Sequence, residues 1–342
     1  MNIRYAALFA LAVVILAMVW YAWHVATVDL PLVTAPPTLI ELPPPTLTSR
    51  PIAVWIDTDA ACGTGKRRDV DDCWAIAATL RNPELAVRGI TTVFGNTDAQ
   101  TAATVAASVS QHFGHRLTPT VGADRAGQHA TAAVETLAQA LRREPLLILS
   151  LGPATNVAAT VRLHPDVKSR IMGVVAVAGA SDTTYFEVGD SRVFHAHDQN
   201  FRRDVKAFET LLNARIPLLL VPYDTVSKIV ITSSDLQRLA QTESGSGWLA
   251  QESRDWLEHW SKLSGTDGFV PFDAVAAASV ILPTAFHVTR RTVQIRRSVS
   301  HAPEQFLVAS PGFSRGWVVS YAIDATPATK DVILSNVSNS RP

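Results

Sequence analysis

VWIDTDAACGTGKRRDVDDCWAIA, residues 54–77, opens with an apolar run that ends in Asp57-Thr58-Asp59. It crosses a basic, glycine-containing turn and resumes after Asp71-Asp72 as an alanine-rich helical pattern. A short apolar run, a loop and a helix make one βα unit. Working outward, the unit recurs. Strands are expected at IAVWID (52–57), LAVRGITTVF (85–94), LTPTVG (117–122), LLILSL (146–151), IMGVVAVAG (171–179) and IPLLLVP (216–222), with helical patterns between them. The 233–263 stretch reads as helical and carries Trp248, Trp256 and Trp260; another helix follows at 273–281. HVTRRTVQIRR (287–297) and RGWVVSYAID (315–324) read as a closing antiparallel pair. The expected fold class is α/β: a single domain over 52–342 with a mainly parallel central sheet flanked by helices. In such sheets ligands bind beyond the carboxyl ends of the strands. The loops after Asp57, Phe94, Leu151, Gly179 and Pro222 are therefore where chemistry is expected.

Composition narrows the function classes. The 342 residues hold 30 Lys+Arg against 30 Asp+Glu, a net charge of zero that excludes a strongly basic nucleic-acid footprint. With 47% apolar and 18% charged residues the chain is not disordered. Two cysteines are too few for a four-thiolate zinc site. The apolar share is uneven. From Tyr5 to Trp23 there is no charge, and the apolar stretch runs on to Val28, about the length that crosses a bilayer. Arg4 precedes it and Trp20, Tyr21 and Trp23 cluster at its far end. Residues 1–30 are therefore expected to be a transmembrane anchor, meeting the lipid bilayer through 5–28, with the domain held outside the cytoplasm, periplasmic or extracellular. A cleaved signal peptide fits less well, because no small-x-small cleavage site follows. Residues 31–51 hold seven prolines and read as a semi-rigid linker.

Asp57, Asp59, Asp69, Asp71 and Asp72 place five carboxylates in sixteen residues at a strand end and a helix start. One or two could be helix caps. Five close like charges are costly without a cation, and oxygen-only ligands indicate a hard ion, Ca²⁺ or Mg²⁺.

At these residues the chain resembles the inosine-uridine preferring nucleoside hydrolases. The Asp-Thr-Asp and Asp-Asp-x-x-x-Ala pattern is followed in order by GITTVFGNT (89–97), LLILSLGPATNVA (146–158), VVAVAGA (174–180), HDQNFRRDVKAF (197–208), VPYDTVSK (221–228) and PFDAVAAASVILP (271–283), each similar to a motif of that family. The resemblance covers about residues 52–325. It implies a Rossmann-like nucleoside hydrolase fold and hydrolysis of the N-glycosidic bond of ribonucleosides to free base and ribose, with Ca²⁺ as cofactor. Asp59, Asp72 and Asp273 match calcium ligands, and Leu151 matches a position that binds the ion through its carbonyl. Asp59 also matches the general base, and Asp71 the carboxylate that contacts the ribose hydroxyls. Asn96, Asp198 and Asn200 match ribose-binding positions, with Asp198 standing for the family's glutamate and reaching one methylene less. A homo-oligomer is left open.

Two departures stand out. Eleven residues, AACGTGKRRDV, separate Asp59 from Asp71 where the family has a short turn. They do not form a phosphate-binding P-loop, since Arg67 follows Gly65-Lys66 where Ser or Thr is required. Within and just beyond this insertion, Cys62 and Cys73 could pair in an oxidising compartment, but free thiols are favoured. Phe272 stands before Asp273 where many family members have a histidine that protonates the leaving base. Phe272 could stack on the base instead. Trp256, His259 and Trp260 are the other candidates for that side of the site; His195 and His197 flank the ribose motif. Two further readings remain open: a non-catalytic nucleoside or ribose binder, and a haloacid-dehalogenase-like phosphatase with Asp57 as nucleophile.

Overall fold

The computed structural model describes residues 33–47, 50–181, 186–188, 192–194, 198–242, 245–298 and 304–338. Two short strands, β1 (Val33–Thr34) and β2 (Leu39–Glu41), precede β3 (Ile52–Thr58), β4 (Leu85–Thr92), β5 (Thr120–Val121), β6 (Leu146–Ser150) and β7 (Ile171–Ala176). Then come β8 (Ala180–Ser181), β9 (Phe186–Val188), β10 (Arg192–Phe194) and β11 (Leu218–Leu220), and finally β12 (Phe286–Ser298), β13 (Glu304–Ser310) and β14 (Gly316–Ala325). The main sheet runs β5-β4-β3-β6-β7-β11-β14-β12-β13-β8. Its first seven strands are parallel. Strands buried on both faces need continuous apolar runs, and β6 (LLILS) is buried throughout.

Strand order reverses at the centre. From β3 the chain moves outward to β4 and β5, then returns across β3 to β6, β7 and β11. That reversal opens a crevice at the carboxyl ends of β3 and β6, where α/β sheets bind ligands. Asp59 and Leu151 follow those two strands directly.

Helices cover both faces. On one side Asp71–Arg81 is buried along almost its whole length. Phe272–Ile281 beside it is buried from Asp273 onward and apolar but for Asp273 and Ser279, as suits a helix enclosed on nearly every side. On the other side Ala132–Arg143, Thr155–Leu163 and Val205–Ala214 turn their apolar residues to a second core cluster. The expected closing pair is present, with β12 and β14 antiparallel from Phe286↔Ala325 to Val293↔Trp317. The added strand β13 beyond them was not read from the sequence, where residues 304–310 lack clear alternation.

Three expectations are corrected. Residues 5–28, read as a membrane-spanning helix, lie outside the described residues. Among the described residues no helix is long and apolar enough to cross a membrane. Phe272–Ile281, apolar but for Asp273 and Ser279, has 10 residues, about 15 Å of rise against a bilayer core of about 30 Å. The fold is thus an α/β fold with a mostly parallel sheet, and the transmembrane helix, its bilayer contact and the single-pass placement outside the cytoplasm are not supported.

The second correction concerns the proline-rich segment, which does not stand free as a spacer. β1 pairs with β12 and β2 with β14. Leu42 is buried, and Thr46 N–H donates to the Met172 carbonyl at 2.9 Å. Proline forbids helix but leaves neighbouring N–H groups free to pair at a sheet edge. The third concerns the thiols: Cys62 and Cys73 are joined as a disulfide, their Cα atoms 6.4 Å apart. The insertion folds back onto the first turn of Asp71–Arg81, a return that sequence separation alone does not reveal.

Candidate functional site

Asp57 lies within β3 and Asp59 just past its end, and the two meet different surroundings. Asp57 accepts hydrogen bonds from Thr91 Oγ1 at 2.7 Å and Asn156 Nδ2 at 2.8 Å. Asn156 also donates to the Thr92 carbonyl and accepts from Ala123 N–H. Asp57 therefore ties β3 to its neighbours and is not open to a ligand. Burial pushes its carboxyl up to about 7, against the pull of the Asn156 and Thr91 bonds.

Asp59 turns to the crevice. Its Oδ2 accepts the Asn96 N–H at 2.8 Å, and Asn96 Nδ2 reaches Oδ1 at 3.4 Å. The glycines of the motifs after β4 and β6 make room for it. A Cβ on Gly95 would lie 1.6 Å from Asp59 Oδ2, and one on Gly152 would lie 3.1 Å from its Cγ. Only a bare backbone can pass this close.

The helix Asp71–Arg81 brings two more acids. Asp69 Oδ1 accepts from Asp71 N–H at 3.2 Å, and Asp71 Oδ1 from Asp72 N–H at 2.9 Å. Asp72 Oδ1 takes the Thr58 hydroxyl and the Asp59 N–H. Its Oδ2 is buried without a partner. Asp273, in the first turn of Phe272–Ile281, completes the group. Oxygens of Asp71, Asp72 and Asp273 lie within 4.8 Å of one another, and all three residues are buried. Burial first, and then the neighbouring acids, hold Asp59, Asp71 and Asp273 well above the ordinary carboxylate range. Asp69 is raised to about 6, again chiefly by burial. Clustered acids with a buried, unpartnered oxygen suit a hard cation.

A cavity opens over this group, and the residues expected at the site line it: Asp71, Asn96, Leu151, Asp198, Asn200, Phe272 and Asp273. Asp59 and Asp72 sit just beneath, 2% and 1% exposed. Two details add to the expectation. The three acids that converge are Asp71, Asp72 and Asp273, with Asp59 turned instead to Asn96. The Leu151 carbonyl accepts from Asn200 Nδ2 at 2.6 Å. Asp198 also does a structural job: it caps Gln199–Arg203 through Phe201 N–H at 2.9 Å and accepts Gly179 N–H at 2.6 Å. Burial raises its carboxyl to about 6.

Phe272 forms an aromatic wall, its ring 5.9 Å from that of Trp260, which in turn lies 6.1 Å from Trp256. Trp256, Trp260 and His259 do not themselves line the cavity. His195 and His197 lie outside the described residues. Tyr223, which the motifs did not single out, lines the cavity, and burial pushes its hydroxyl up to about 12. The available signal was its position just after β11, at the start of the short helix Tyr223–Val226. Among the described lining residues there is no Lys, Arg or His.

The sequence matches the family model described as inosine-uridine preferring nucleoside hydrolase over residues 54–322. It is 28% identical to the pyrimidine-specific ribonucleoside hydrolase RihA of Klebsiella pneumoniae over 174 residues, which is 50% of this chain and 53% of that relative. To uridine nucleosidase 1 of Arabidopsis thaliana it is 23% identical over 272 residues, 70% of this chain and 77% of the relative. The chain thus spans about half the length of the first relative and about three quarters of the second. Among solved structures a plant nucleoside hydrolase superposes with a TM-score of 0.70 at 18% identity, covering 84% of this chain and 99% of that one. A purine-preferring ribonucleoside hydrolase from Gardnerella vaginalis gives 0.69 at 17%, covering 84% and 98%. These likenesses speak to the fold.

Proposed function

The chain belongs to the inosine-uridine preferring nucleoside hydrolase family, and from that premise we propose that it hydrolyses the N-glycosidic bond of ribonucleosides to free base and ribose. The observation that carries this reading is the convergence of Asp71, Asp72 and Asp273 at the crevice between β3 and β6, with Asp59 beside them and Asn96 and Asn200 on the cavity wall. The family is metal-dependent, and the buried, unpartnered Asp72 Oδ2 supports a cation here. The oxygen donors suit a hard cation, and we take the ion to be Ca²⁺ on the family resemblance. Asp71, Asp72 and Asp273 would hold it, joined by Asp59 and the Leu151 carbonyl. Once bound it would supply Lewis acidity toward water and a fixed anchor for the sugar diol.

The side chains define the remaining work. Asp59, fixed by two donors of Asn96, is placed to take a proton from the attacking water. As the C1′–N bond breaks, the sugar becomes oxocarbenium-like, and the surrounding carboxylates stabilise its positive charge. Asp71 offers carboxylate acceptors and Asn96 its amide for ribose hydroxyls, Asn200 offers its amide oxygen, its Nδ2 being given to the Leu151 and Val177 carbonyls, and Phe272 offers a face for the base. Asp198 has both oxygens engaged by backbone N–H groups; its contribution to the sugar is therefore through the helix it caps.

The phosphatase reading is disfavoured, since Asp57 is enclosed by Thr91 and Asn156. The binder reading shares the site and differs only in turnover. A panel of ribonucleosides plus a phosphate ester, with products identified, decides. Base and ribose are expected; binding of nucleosides without release of either would favour the binder.

A further inference from the structure

Breaking an N-glycosidic bond sends its electron pair onto the base nitrogen, so the departing group needs a donor or a positive charge beside it. The described cavity lining holds no Lys, Arg or His, and Phe272 offers no proton. A cation nevertheless stands at the rim. Arg68, in the inserted loop, donates from Nη1 to the Asn96 carbonyl at 3.0 Å. Both Asn96 and the adjoining Asp69 line the cavity. The guanidinium has five N–H groups; this is its one protein hydrogen bond among the described residues, and the side chain is exposed.

The loop is held in that position from two sides. The Cys62–Cys73 disulfide ties it to the residue after Asp72. Arg67 N–H donates to Asp255 at the start of the helix Arg254–Ser264, whose Trp260 backs Phe272. The insertion is thus tied to both the metal-side acids and the helix behind the aromatic wall, and it carries Arg68 at the Asn96 side of the cavity rim.

We propose that Arg68 is a catalytic residue that stabilises the negative charge of the departing base, a role supplied by the expanded loop in the absence of a histidine at position 272. This rests on the nucleoside hydrolase reading above. Water oxygen bonds to C1′, its proton passes to Asp59, the C1′–N pair moves onto the base, and Arg68 hydrogen-bonds the base anion without losing a proton. Solvent then protonates the free base. An Arg guanidinium keeps its charge through such a step.

The test compares leaving groups in Arg68→Gln and Arg68→Lys with the wild-type chain. Uridine and inosine release uracil and hypoxanthine as poor leaving groups, whereas 4-nitrophenyl β-ribofuranoside releases a stabilised phenolate that needs little help. The expected result is a loss of kcat on the nucleosides of roughly ten- to a hundredfold for Arg68→Gln, at least tenfold larger than the loss on the nitrophenyl riboside, with Arg68→Lys in between. Equal losses on both substrate types would mean that Arg68 only steadies Asn96, and unchanged rates would mean that it does nothing; either overturns the proposal. Matching melting temperatures certify the variants, whose substituted side chain is exposed. A wild-type chain that cleaves the nitrophenyl riboside and no nucleoside, or cleaves neither, would instead refute the reading of the function.

Discussion

Replacing Gly95 by alanine would set a carbon 1.6 Å from Oδ2 of Asp59. Ordinary contact between such atoms is about twice that, so the carboxylate must retreat by more than 1 Å or the loop after β4 must lift. The neighbour is the end of a short side chain, but the Gly152 backbone also lies close to it, since a Cβ built there would stand 3.1 Å from Asp59 Cγ. The Asn96 N–H bond at 2.8 Å is lost in either movement. Overpacking of this kind costs about 1–3 kcal/mol of stability, which a domain of this size survives. Catalysis is less forgiving: a displacement of about 1 Å in a reacting group costs on the order of a hundredfold. The assay is release of ribose from uridine and inosine, run beside a thermal melt. Gly95→Ala should lose about a hundredfold or more in kcat while keeping a cooperative melt. A variant with the wild-type rate would refute the placement of Asp59 as the base.

Three further outcomes follow from the same geometry. Calcium should raise the melting temperature, by an amount equivalent to about 2.7 kcal/mol at a hundred times its Kd, and chelation should suppress turnover; full activity in metal-free protein would contradict the cation site. In chelator, the chain should lose stability as pH rises toward 7, because folded Asp57 and Asp198, raised to about 7 and about 6, keep protons that the unfolded chain gives up near 3.8. Melts at pH 4.5, 6 and 7.5 measure this, and a melting temperature that climbs across that range would contradict it. Reducing the Cys62–Cys73 bond, which spans eleven positions, should destabilise the chain by up to about 3 kcal/mol, seen as a lower melting temperature in dithiothreitol.

Much of the site was legible because its chemistry sits at strand ends, where short motifs mark both the turn and the ligand. Asn96, Leu151, Asp198, Asn200, Phe272 and Asp273 are far apart in sequence and line one cavity. Less legible was what each atom faces. Asp57 and Asp59 differ by two positions and look alike in sequence, yet the first meets Thr91 and Asn156 and the second Asn96. The family pattern also does not say which acids converge most tightly, since that depends on how Asp71–Arg81 and Phe272–Ile281 pack. Tyr223 sits in a quoted motif that gave it no role, Arg68 lies in the insertion, and the two reach the cavity and its rim only through tertiary structure. In the proline-rich segment, composition correctly suggested extended chain but could not tell a free spacer from strands laid against β12 and β14.

The account turns on Asp59 as the base of an N-glycosidic hydrolysis. Its most direct test measures base and ribose released from a panel of ribonucleosides with calcium present, for the wild-type chain and for Asp59→Asn. The account predicts equal amounts of base and ribose from at least one nucleoside, and a rate reduced a thousandfold or more, on the order of what a lost general base and misplaced water cost together, in Asp59→Asn. Release by both chains at the same rate, or by neither, would contradict it.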